Sequence, residues 1–78
     1  MPTIFRTGPY RFFFYSNENA EPAHIHVQRD KHLAKYWLKP VALASAFKFS
    51  NKELKRIEQL TNENSELLLE AWNEYFGK

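Results

Sequence analysis

Between Glu21 and Leu38 the chain alternates in a way that admits one hairpin register. His24-Ile25-His26-Val27 reads as a strand in which side chains point to opposite faces with period two. His24 and His26 therefore share one face, and Ile25 and Val27 share the other. With Asp30-Lys31 as a two-residue turn, Arg29 pairs with His32, Val27 with Ala34, His26 with Lys35, Ile25 with Tyr36 and His24 with Trp37. Ile25, Val27, Ala34 and Tyr36 then lie together, while His24, His26, Gln28, Lys35 and Trp37 lie opposite. A shift of one residue mixes the two sets. The turn lacks the glycine that such hairpins favour.

The rest of the chain supplies neighbours for this hairpin. Thr3-Ile4-Phe5 reads as a short strand closed by Thr7-Gly8-Pro9. Tyr10-Arg11-Phe12-Phe13-Phe14-Tyr15 is an aromatic strand, with Phe12 and Phe14 expected in the core and Arg11, Phe13 and Tyr15 opposite. Residues 16–23 form a connection long enough to be a mobile, functional loop. Lys39-Pro40 ends the hairpin, since proline donates nothing to a ladder. Val41-Ala42-Leu43-Ala44 is expected as a final short edge strand, and Phe47 and Phe49 as anchors for the approach to a helix.

Ser50-Asn51-Lys52-Glu53 is a capping box. Beyond it Leu54, Ile57, Leu60, Leu67, Leu68, Ala71, Trp72, Tyr75 and Phe76 recur at helical spacing up to Gly77. An unbroken helix over 51–76 would be about 39 Å long at 1.5 Å per residue, against a radius of gyration of roughly 11 to 12 Å for so short a chain. It must overhang, kink or break, and Thr61-Asn62-Glu63-Asn64-Ser65 is where that is expected. An overhanging end bearing Leu68, Trp72, Tyr75 and Phe76 would offer a surface for a partner protein or for homodimerisation.

The expected fold is α+β: an antiparallel sheet of four to five strands with a long or broken C-terminal helix packed on one face. At 78 residues and 44% hydrophobic content, one domain is expected over 1–78, β-rich over 1–49 and helical over 50–77. The chain has no cysteine, which excludes disulfides and thiolate metal sites. No signal peptide and no membrane-spanning segment is visible, so a cytoplasmic location and no membrane partner are expected. Residues 1–50 carry seven Lys and Arg against three acids, and residues 51–78 four against six, so the β-rich part is the basic one.

Three uses of the histidine face compete. His24 and His26 could ligate a metal, with Glu21 or Glu18 as a further ligand. They could instead serve as general acid and base in cleaving RNA, which brings its own 2′-hydroxyl nucleophile. Arg11 and Lys35 would then hold phosphate while Tyr15 and Trp37 stack bases; such an enzyme would be metal-independent, ribonuclease-like and free of cofactors. The third use is adhesion without chemistry, to protein or nucleic acid. A histidine here could also merely hydrogen-bond the loop at Glu21, and residue types alone do not separate these uses.

Five stretches carry a resemblance: Met1-Pro2-Thr3-Ile4-Phe5-Arg6, Tyr10 through Glu18, Glu21-Pro22-Ala23-His24-Ile25-His26-Val27, Ala34-Lys35-Tyr36-Trp37-Leu38 and Glu70 through Phe76. Together they resemble the bacterial domain of unknown function 4160 family over nearly the whole chain. The resemblance implies a small cytoplasmic bacterial protein of a kind linked, through neighbouring genes, to the toxin side of toxin–antitoxin pairs. A cognate antitoxin is the partner it implies, and RNA or the ribosome is the partner expected of the histidine face. The family's signature falls on Glu21, Pro22, His24, His26 and Trp37, with no role assigned to any of them. Ala23 stands where a second proline is usual, and Asp30-Lys31-His32 where a glycine-bearing turn is common.

Overall fold

A computed structural model describes residues 3–15 and 20–77. Five strands precede two helices: β1 (Thr3–Thr7), β2 (Tyr10–Phe13), β3 (His24–Arg29), β4 (His32–Leu38), β5 (Val41–Phe47), α1 (Asn51–Glu63) and α2 (Ser65–Phe76). The strands form one open antiparallel sheet in chain order, so every neighbour in the sheet is a neighbour in sequence. Part of the connection expected to be a functional loop, residues 16–19, lies outside the described residues, and Glu18 with it.

The β3–β4 register is the one the alternation demands, from His24 opposite Trp37 to Arg29 opposite His32. Its turn does without glycine because Asp30 itself takes a φ of 56°, a left-handed conformation that aspartate tolerates better than most residues. Phe12, Phe14, Ile25, Val27, Ala34, Tyr36 and Leu38 form the core face, and Ile57, Leu68 and Trp72 from the helices close over it. The Tyr36 hydroxyl donates to Leu54 O at 2.7 Å, which satisfies the polar end of a buried ring. Burial, reinforced by Glu58, pushes that hydroxyl's pKa up to about 12.

Several expectations are corrected. The aromatic strand stops at Phe13, so Phe14 and Tyr15 lie beyond the ladder. The last strand continues to Phe47, with Ala44 as an extra residue between the Lys35–Ser45 and Tyr36–Leu43 pairs. Phe49 anchors the approach to α1 as expected, but Phe47 sits on the other face and is exposed. The helix breaks at Asn64, within the segment expected to fail. There the Asn64 side-chain amide donates to Leu60 O at 2.8 Å, and Thr61 Oγ1–H donates to Ile57 O at 2.8 Å. Such side-chain competition for helix carbonyls bends or ends a helix. The break removes the overhang: Leu68 and Trp72 belong to the core, leaving Leu67 and Tyr75 as exposed apolar residues of α2. No helix among the described residues is long and apolar enough to cross a membrane.

Only half of the capping box forms. Ser50 Oγ accepts from Glu53 N–H at 3.2 Å, but the Glu53 carboxylate turns to the sheet instead of back to the helix start. Arg29 Nε–H and Nη2–H donate to its two oxygens at 2.7 and 2.9 Å, and the Tyr10 hydroxyl donates to Oε2 at 2.9 Å. This bidentate clamp ties β2, β3 and the first turn of α1 together. The Arg29 hydrogen bonds, helped by Tyr10, hold the Glu53 carboxyl below its ordinary value of 4.5. A depressed carboxylate pKa contributes stability above the unfolded-state value and loses it as pH falls through the folded one. The melting temperature of Glu53→Gln should therefore lie below that of the wild type at neutral pH, and the gap should close on acidification below about pH 4.5. A gap of equal size at all pH values would show that the charge of Glu53 contributes nothing.

Candidate functional site

The sheet face turned away from the helices is built in cross-strand rows. Arg11 of β2 stands opposite Gln28 of β3; Phe13 stands opposite His26, which stands opposite Lys35 of β4; His24 stands opposite Trp37. Alternation alone dictates this set, because each member is one residue away from a core position. The sheet thus brings together Arg11, His24, His26, Lys35 and Trp37, and Tyr15 joins them from beyond β2 through its ring contact with His26 at 4.6 Å.

Packing distinguishes the two histidines. His24 has no exposed surface, whereas His26 is 7% exposed. The His24 ring meets His26 at 5.2 Å, Trp37 at 5.7 Å and Trp72 of α2 at 5.0 Å between centroids. Its Nδ1 lies 2.9 Å from Pro22 O. A carbonyl only accepts, so Nδ1 carries the proton in this arrangement. The same Nδ1 is 3.8 Å from Glu21 Oε1. His24 thereby pins the Glu21-Pro22 segment beside the strand, and Leu38 N–H donating to Ala23 O at 3.0 Å fixes the next residue. His26 stacks on Phe13 at 5.5 Å and 27°.

Arg11 and Lys35 each lie over a ring. Arg11 Cζ is 4.3 Å from the Phe13 centroid, and Lys35 Nζ is 4.7 Å from that of Trp37. Arg11 also donates to Thr3 Oγ1 and Gln28 Oε1, each at 2.9 Å, which orients the guanidinium along the sheet. Lys35 Nζ donates to Glu21 Oε1 at 2.6 Å. Tyr15 is 38% exposed and is the most open ring of the group. Beside His26 and Lys35 a hollow of about 150 Å³ is walled by Leu33, Ser45 and Phe47. Among the described residues no group of three His, Cys, Asp or Glu side chains is gathered as a metal site.

Two contributors escaped the sequence. Trp72 gave only a core signal from its place on the apolar side of a helix, and nothing in its spacing tells that it reaches His24. Phe13 was legible as a member of this face but not as the plate on which His26 rests.

Since its full burial makes His24 part of the packing, His24→Ala should lower stability by about 1–3 kcal/mol and speed proteolysis near Pro22. Lys35→Ala, which removes a partly exposed ion pair, should cost no more than about 1 kcal/mol. Thermal unfolding of both variants checks the order, and a His24→Ala protein of wild-type stability would contradict the pinning role.

Comparison with curated proteins and with solved structures returns no match. A family model described as a domain of unknown function (DUF4160) matches residues 10–73, which spans β2 through most of α2 and includes every residue of the histidine face named above. The chain belongs to this family.

Proposed function

We propose that the chain is a toxin–antitoxin-type component that acts on RNA, free or within the translation machinery, through the face centred on His26. The observation that carries this reading is the cross-strand arrangement of rings and cations on a single face. A single-stranded nucleic acid needs cations at phosphate spacing and flat rings for its bases, and stacking on an aromatic ring is worth roughly 1–3 kcal/mol per base. Tyr15 and Trp37 serve as the stacking groups and Arg11 and Lys35 as phosphate holders, with Lys35 exchanging the Glu21 carboxylate for a phosphate oxygen.

The roles of the histidines divide. His26, 7% exposed and beside the hollow, is the group assigned to meet a substrate, while His24 positions the loop and the His26 ring. Acid–base cleavage by the pair would require His24 to become exposed, so the geometry favours binding over cleavage.

Fluorescence anisotropy with a labelled single-stranded RNA tests the reading. Tyr15→Ala and Trp37→Ala should each weaken binding about fivefold or more, and Lys35→Ala should reduce the slope of log affinity against log salt by about one. Full-length RNA after incubation identifies binding alone, and cleavage abolished in His26→Ala identifies catalysis. Absence of binding at low salt, or binding indifferent to all three substitutions, would refute the reading.

A further inference from the structure

Strand β5 closes one side of the sheet, and among the described residues nothing pairs with its outer edge. Ala42 through Phe47 are all exposed, and two are large apolar residues, Leu43 at 44% and Phe47 at 58%. An unpaired strand of this kind is a template for another strand, which proteins ordinarily block with charge, proline or a bulge. Val41–Phe47 contains neither charge nor proline. Its protection is limited to the bulge at Ala44, a residue bearing one methyl group.

We propose that β5 pairs with β5 of a second copy of this chain, antiparallel about a two-fold axis, to make a continuous ten-stranded sheet. The side-chain pattern selects both the occupant and the register. Pairing with β4 puts Ala42, Ser45 and Phe47 on the histidine face, opposite Trp37, Lys35 and Leu33; it puts Val41, Leu43 and Ala46 on the helix face, opposite Leu38, Tyr36 and Ala34. Opposed residues of an antiparallel pair share a face. An axis between Ala44 and Ser45 meets that condition. It sets Phe47 against the partner's Ala42 and Leu43 against the partner's Ala46, with the bulges of the two strands meeting at the axis.

Each large side chain then meets a small one, on both faces, and every such pair occurs twice by symmetry. Lys48 lies beyond the strand with a left-handed φ of 73°, and β5 itself carries no charge, so no like charges meet within the ladder. A charged peptide would find no charge in β5 to recognise, which makes a second copy the better-matched occupant. Pairing along one seven-residue strand gives a smaller contact than the roughly 800 Å² per partner of a stable assembly. The dimer accordingly forms and dissociates with concentration. Because the axis is perpendicular to the sheet, the histidine faces of both copies lie on the same side. The inference stands on β5 alone and does not depend on what that face binds.

Sedimentation equilibrium over a range from micromolar to millimolar protein tests it. The average mass should rise from 9.3 kDa toward twice that value. Phe47→Lys and Ala42→Glu should each weaken self-association at least tenfold, with the thermal unfolding of the monomer unchanged. An equimolar mixture of the two variants should recover dimer, since it sets the introduced lysine opposite the introduced glutamate. A chain that stays monomeric at every concentration overturns the proposal. So does a dimer that survives both substitutions and is dissolved instead by Leu67→Lys or Tyr75→Lys, which would place the contact on α2.

Discussion

The register of β3 against β4 is the constraint from which the rest of the molecule follows. It sends Ile25, Val27, Ala34 and Tyr36 to the helices and His24, His26, Lys35 and Trp37 away from them. A slip of one residue would mix the sets, turning the apolar residues of one strand away from the helices. Exposing a large apolar side chain forfeits about 1.5–3 kcal/mol, so turning out Ile25 and Val27 together would approach the roughly 5 kcal/mol at the low end of domain stabilities. Register and fold therefore stand or fall as one, with Asp30 at positive φ as the local device that closes the turn.

The helices are fitted to that sheet by polar groups as much as by apolar ones. The Arg29–Glu53 clamp sets where α1 begins, the Tyr36 hydroxyl meets the α1 backbone at Leu54, and Asn64 ends α1 so that Leu68 and Trp72 return to the core. Trp72 connects this packing to the opposite face, because its ring touches both Phe14 of the core and His24. The histidine face is thus held from behind by the same residues that stabilise the fold.

What could be read in advance follows the range of each interaction. Strand alternation, the β3–β4 pairing and the two faces were legible because they depend on neighbours in sequence and on a period of two. The break near Asn64 was legible from a run of polar residues whose side chains compete for helix carbonyls. The Glu53 clamp was not, since Ser50 and Glu53 form a satisfactory capping box on their own and nothing local says that Arg29 will win the carboxylate. The length of β5 was hidden by its run of small residues, which is weak evidence for a strand until β4 is present to pair with. Burial of His24 depends on Trp72, 48 positions away, and spacing carries no such information.

Function in this account lies on the face opposite the helices, yet a second basic surface exists on α1, where Lys52, Lys55 and Arg56 line an open groove. Chemical-shift mapping of the labelled protein titrated with single-stranded RNA distinguishes the two surfaces most directly. Perturbations are expected at Arg11, Phe13, Tyr15, His26, Lys35 and Trp37, with α1 silent. Perturbations confined to Lys52, Lys55 and Arg56 would contradict this expectation and move the functional surface to the helix.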